Sequence, residues 1–175
     1  MKNGDRGLGF GDRRETVFAS QTDVLFEEEC MILPVYVTIE EVKRVCKVLK
    51  LRDWTKMGRP DVTSKEAKTI LKTVNTEKMR IDPEEFRKGL EVELEHGVRF
   101  PDANVTNNHP VLTGKIVLAH LKESLFYYRL LEVAEIEGDL VKAVAAKKPE
   151  KVEGNYRKLI RAKLELAETE AKQVK

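Results

Sequence analysis

Asp82-Pro83-Glu-Glu85-Phe86-Arg-Lys-Gly89-Leu90-Glu91-Val-Glu93-Leu94-Glu95-His96-Gly97 is the stretch that decides the fold. Asp82 is a helix cap, Pro83 suits the first helical position, and Glu85 is an acid three residues past the cap. Phe86, Leu90 and Leu94 then recur at the spacing of one helix face, and Gly97 offers a stop. The pattern predicts a helix over 83–96. At about 100° per residue, Glu93 falls inside the apolar stripe with His96 at its edge, while Glu91 and Glu95 turn away. A carboxylate on a buried stripe is costly unless it is paired, neutralised or bound to a cation, so Glu93 needs a partner.

Working outward, helical signals dominate. Thr38-Ile-Glu-Glu41 is a capping box followed by Val42, Val45, Cys46 and Leu49, which predicts a helix over 39–50. Thr63-Ser-Lys-Glu66 repeats the signature before Ala67, Ile70, Leu71 and Val74. Residues 97–110, rich in Asn, Asp and Pro, read as a loop, with His109 facing solvent. Residues 113–137 then read as one nearly unbroken helix, capped by Thr113 and stopped by Gly138. Ile116, Tyr127, Leu130, Leu131 and Ala134 mark its stripe, and His120 and Glu123 lie within that stripe. A short helix is expected over 139–147. Beyond it, 149–175 reads as a charged helical tail with a thin stripe of Tyr156, Leu159, Ile160 and Leu164. Residues 1–15 read as a flexible leader, and 31–37, broken by Pro34, as an extended segment packed on helices. The expected fold is mostly α. It is a small helical bundle within a single domain over 16–148, built on a central antiparallel pair at 83–96 and 113–137.

Composition narrows the function classes. At 175 residues and 20.0 kDa the chain has the size of one domain. Charged residues make up 35% with a net charge of only +2, so no overall field points to nucleic acid or membrane. Cys30 and Cys46 make no disulfide framework. The opening lacks the apolar core of a signal peptide and no stretch approaches a membrane span, so the expected location is cytoplasmic. Gly7-Leu-Gly9-Phe-Gly11 follows no strand and ends in no Lys-Ser/Thr, so it is not read as a phosphate loop.

The candidate chemistry lies in Glu93, His96, His120 and Glu123, two carboxylate–imidazole pairs each spaced three residues apart on facing helices. Three schemes stay open. The four side chains converge on a divalent transition metal, as Glu-x-x-His motifs do in carboxylate-bridged bundles. Alternatively they are Glu–His hydrogen bonds of a polar core closed by Tyr127 or Lys115. In the third scheme one glutamate is a general acid or base in a pocket. Asp102-Ala-Asn104-Val-Thr106 has the alternating oxygens of a calcium loop but lacks its glycine, and Thr113 stands where its bidentate glutamate belongs; turn formation explains it more simply. The competing functional class is a structural or protein-interaction module. Its C-terminal helix would contact a protein partner or a second copy, and an exposed apolar strip along Tyr156, Ile160 and Leu164 would favour it.

Gly89-Leu-Glu-Val-Glu-Leu-Glu-His-Gly97, Asn104-Val-Thr106, Leu112-Thr-Gly-Lys-Ile116, Ala119-His-Leu121, Glu123 and Tyr127-Tyr128 together resemble a domain-of-unknown-function family of phages, bacteria and archaea. The resemblance covers about 82–135, with 38–54 similar to the family's leading helix and 55–78 looking like an insertion. It implies one compact helical unit. It also implies that Glu93, His96, His120, Glu123, Tyr127 and Tyr128 form a motif set, without assigning them an activity. Ser124-Leu-Phe126 departs from the acidic, proline-containing turn that the resemblance implies before the tyrosines.

Overall fold

A computed structural model describes residues 37–174, which fold into six α-helices with no strand among them. They are α1 (Ile39–Val48), α2 (Ser64–Val74), α3 (Pro83–Arg99), α4 (Pro110–Glu123), α5 (Tyr127–Ala145) and α6 (Pro149–Gln173), with short 3-10 turns at Trp54–Lys56 and Pro101–Ala103. The leader expected over 1–15 and nearly all of the extended segment 31–37 lie outside the described residues.

Local sequence accounts for the helix starts. The Thr38 hydroxyl accepts from the Glu41 amide, Thr63 and Glu66 close a reciprocal capping box, and the Asp82 carboxylate accepts from the Glu84 amide ahead of Pro83. Each start fixes the phase of the apolar face behind it. Val42 and Cys46 from α1, Ala67, Ile70 and Val74 from α2, Phe86, Leu90 and Leu94 from α3, and Val117, Leu118 and Leu121 from α4 meet in one core. Trp54, Val62 and Tyr128 close it. Residues 55–78 thus supply a substantial part of that core. Helices α2, α3 and α4 pack mutually, α1 lies on α4, the start of α5 packs on α3 and α4, and α6 packs against α5.

The helix expected over 113–137 is two helices. It breaks at Ser124, whose backbone is extended (φ −153°, ψ 127°) and whose hydroxyl accepts from the Phe126 amide at 3.4 Å. A serine turn thus makes the break without proline. Helical phase restarts at Tyr127, so Ile116, Leu130 and Ala134 do not share one buried stripe and are exposed. Neither glycine stop operates. α3 runs past Gly97 to Arg99, and α5 runs past Gly138 to Ala145, absorbing most of the short helix expected over 139–147. Gly97 has another use: an added Cβ would stand 2.2 Å from Asn108 Oδ1, so the following loop folds back onto α3 at this point. Thr113 is buried inside α4 and caps nothing; His109 caps that helix instead.

The tail stripe is also corrected. In α6 it is Leu159 and Ala162 that are buried, with Val152, Asn155, Leu166 and Thr169 half-buried in line with them, a spacing of three and four residues. Val133, Ile136, Leu140 and Ala143 repeat that spacing on α5. The three-residue turn 146–148 makes the two helices an antiparallel hairpin, zipped by a coiled-coil-like seam. Tyr156, Ile160 and Leu164 stay outside it, at 55%, 53% and 60% exposure.

Candidate functional site

Of the four expected ligands the fold brings together Glu93 and His120, and it places the expected Tyr127 and Tyr128 beside them. Glu93 lies one turn beyond Gly89 on α3, and His120 lies in the last turn of α4. The His120 Nε2 and Glu93 Oε1 atoms are 3.6 Å apart, with both side chains partly buried. Tyr128, at the start of α5, donates its hydroxyl to the same Glu93 Oε1 at 2.9 Å. Tyr127 stacks on the imidazole with ring centroids 4.2 Å apart and planes 10° apart, and the two tyrosine rings meet edge to face at 5.2 Å. Sequence order explains the convergence. The break at Ser124–Phe126 swings α5 so that both tyrosines at its start return over His120. The ring of Tyr128 passes so close to Gly89 that a Cβ there would stand 2.5 Å from it.

Burial and the neighbouring carboxylate set the chemistry of this cluster. Burial first, then the charge of Glu93 and its hydrogen bond, pushes the Tyr128 phenol well above its ordinary range. It therefore acts as a fixed donor. The other imidazole nitrogen, His120 Nδ1, is buried and has no hydrogen-bond partner among the described residues. Glu93, His120, Tyr127 and Tyr128 thus form one patch that ties α3, α4 and α5.

The remaining expected ligands stand elsewhere. His96 is exposed and lines a cleft with Glu95 and Arg99 of α3, with Phe100 just past its end and with Glu135, Asp139 and Lys142 of α5. Glu123, expected on the buried stripe, is exposed at the end of α4, in a cleft with Met79 and Arg80, because the helix break removes the stripe to which it was assigned. The four-ligand convergence does not form. Among the described residues, no three His, Cys, Asp or Glu side chains are grouped so as to hold one metal ion. In the loop, Asp102 is exposed, while Asn104 donates to the Gly97 carbonyl at 3.1 Å and to Asn108 Oδ1 at 3.0 Å. Those bonds fasten the loop to the end of α3.

Four polar residues matter more than sequence alone shows. His109, expected in solvent, is buried. Its Nδ1 accepts from the Leu112 amide at 3.2 Å, and burial lowers its pKa below the ordinary 6.5. Glu66 is buried between the loop after α1 and the start of α2. It accepts from the Arg52 and Thr63 amides, the Arg52 guanidinium, the Trp54 indole and the Thr63 hydroxyl. Burial pushes its carboxyl up, but those bonds outweigh it and hold the pKa down to about 2. Arg129 of α5 binds buried Glu85 of α3 through Nε at 2.9 Å and also through Nη2, and reaches Glu165 of α6 at 3.1 Å. Glu91, expected to turn away, accepts from the Val62 amide at 3.0 Å. The capping box marked Glu66 in the sequence, but nothing local pointed to its long-range partners.

These observations define a class, an all-helical protein with a mixed aromatic and Glu–His cluster at a three-helix junction and a long helical hairpin leaving it. The chain belongs to the family described as "Protein of unknown function (DUF5661)", whose model matches residues 42–137, from within α1 to within α5. Comparison with curated proteins and with solved structures gave no match. No helix among the described residues is long and apolar enough to cross a membrane.

Proposed function

We propose that this protein is a non-enzymatic protein-interaction module, in which the α1–α4 head and the start of α5 hold out the α5–α6 hairpin as a binding arm. One observation carries the reading: a run of large apolar side chains, Val141 and Val144 on α5 and Tyr156, Ile160 and Leu164 on α6, stands more than half exposed. Scattered exposed hydrophobics are ordinary, but these follow one another along a hairpin, and Val144 and Tyr156 line one cleft with Val152 between them. The partner that fits is a helical surface with an apolar stripe of its own. In this reading the Glu93–His120–Tyr128 cluster is architectural and fixes the angle at which α5 leaves the head. The test is a photoreactive phenylalanine analogue at position 156, in cells that produce the protein, with the same group at exposed Lys72 as control. Cross-linked adducts are expected at 156 and not at 72, and equal labelling at the two positions sinks the reading.

A transition metal is the second reading. In its favour, Nε2 of His120 and Oε1 of Glu93 are separated by 3.6 Å, close to the spacing of two ligands on one ion. Against it, two donors are few, and among the described residues His120 Nδ1 lacks the outer hydrogen bond that ligating histidines almost always make. Elemental analysis of untagged protein after incubation with zinc, iron or manganese and desalting decides it. The architectural reading expects no stoichiometric metal.

A further inference from the structure

We infer that the partner of the hairpin is a second copy of this chain, laid antiparallel across it so that the two hairpins complete a four-helix bundle. The inference rests on the interaction reading above and adds the identity of the partner. A helix in a hairpin has one face for its mate. Here each helix carries a second apolar row beside the seam: Leu130, Val141 and Val144 on α5, and Tyr156, Ile160 and Leu164 on α6. Because the helices run antiparallel, rows displaced in the same rotational sense from each seam fall on the same side of the hairpin. The shared cleft of Val144 and Tyr156 places them there. The head occupies a different side of α5, since Glu135, Asp139 and Lys142 line a cleft with the end of α3. Among the described residues nothing covers the apolar side along the hairpin, which the Glu137–Lys163 ion pair crosses near its middle.

Charge selects the partner and its direction. Residues 140–158, which form the tip, carry six Lys or Arg against two Glu. Residues 130–139 and 159–174, which form the base, carry seven acids against three Lys or Arg. The hairpin is thus a dipole of opposite charged ends, nearly hidden in a net charge of +2. Two copies side by side in the same direction would set tip against tip. Two copies antiparallel set each basic tip on an acidic base, twice, as a two-fold isologous interface requires. Lys147 and Lys148 lie at the tip end of the apolar cleft, where they would meet the base of the other copy. Size is adequate. With 19 residues in α5, the face is about 28 Å long and about 20 Å across, on the order of the ~800 Å² per partner of a standard interface once side-chain relief is counted.

Sedimentation equilibrium of the full chain across a concentration series tests this. A dimer is expected, with a dissociation constant that rises with salt. Ile160→Glu is expected to raise that constant ~100-fold or more with helicity unchanged, since the side chain it replaces is exposed in the single chain. Lys147→Glu with Lys148→Glu is expected to raise it ~10-fold, and adding Glu168→Lys with Glu170→Lys is expected to recover most of the loss. A monomer at every concentration, or a dimer indifferent to Ile160→Glu, overturns the inference. So does tighter association of the Lys147→Glu/Lys148→Glu variant, the sign that tips lie together. If the chain is monomeric while position 156 still cross-links to a protein of different mass, the second copy fails and the interaction reading stands. If position 156 labels no more than position 72, both fail.

Discussion

A carboxylate that accepts bonds from a guanidinium, an indole, a hydroxyl and two backbone amides, as Glu66 does, is held ionised although it is buried. Its folded pKa of about 2, against an ordinary 4.5, is worth about 3 kcal/mol of stability at neutral pH. The sign follows from the depressed value: the contribution is complete above 4.5 and is lost as pH falls toward 2. Urea unfolding at a series of pH values is expected to show that acid limb in the wild type. Glu66→Gln is expected to flatten it and to lower neutral-pH stability by about 2–3 kcal/mol, because the charge-assisted bonds to Arg52 are lost. His109 acts at higher pH. As the acceptor for the Leu112 amide it must be unprotonated at Nδ1, and its folded pKa lies below 6.5. Its contribution is therefore present above 6.5 and is lost as pH falls through the lower folded value. His109→Asn keeps a capping oxygen and is expected to abolish this step while leaving the Glu66 limb intact. Persistence of the step in that variant would assign it to another group.

At the scale of elements, the fold depends on close approaches between helices as much as on apolar stripes. The Tyr128 ring crosses α3 at Gly89 to reach Glu93, and an added methyl would stand 2.5 Å from the ring and 2.6 Å from Val117. Gly89→Ala is expected to destabilise the protein by about 1–3 kcal/mol in thermal unfolding, although alanine favours helix more than glycine does. Pairing it with Tyr128→Leu is expected to recover part of the loss, and an equal loss in the double variant would refute the clash. This is where legibility in the sequence ends. The caps at Thr38, Thr63 and Asp82 and the stripes behind them were readable because they depend on residues within one or two turns. The break at Ser124–Phe126 was not, because a serine turn carries no proline or glycine to mark it, and one phase carried across it does not fit Ile116, Leu130 and Glu123. Two of the four expected ligands were legible for the same reason. Glu93 follows from the stripe of its own helix, and His120 stays near the buried face of α4. Glu123 was placed by extending a phase past the point where it holds, whereas His96, at the edge of the stripe on an unbroken α3, is exposed. In α6 the large apolar residues drew the stripe toward Tyr156, Ile160 and Leu164, whereas the seam uses smaller Ala162 and polar Asn155 and Thr169, which leave room for close helix packing.

For the molecule as a whole, the order of stability follows from which helices share the core. α2, α3 and α4 each bury side chains against two others, whereas α6 leans on α5 and is tied toward the head by Arg129, which binds Glu85 and Glu165 together. Amide hydrogen exchange is therefore expected to give the highest protection in α3 and α4 and lower protection along α6, where opening exposes little of the main core. Arg129→Met tests the tie. It leaves the buried Glu85 carboxylate without its guanidinium, so it is expected to cost about 3–5 kcal/mol globally and to lower α6 protection further. Concentration then separates arm from head. If each hairpin is covered by another, binding stabilises the docked hairpin by mass action, and α6 protection rises with protein concentration. Over a hundredfold range above the dissociation constant the α6 exchange rate is expected to fall by about 3-fold for each tenfold in concentration, because the free-chain fraction of a homodimer falls as the square root of concentration, while exchange through local fluctuations in α3 stays constant. In Ile160→Glu the α6 amides are expected to exchange at one rate throughout. Exchange from α6 that is independent of concentration in the wild type would mean that the apolar side of the hairpin stays open in solution.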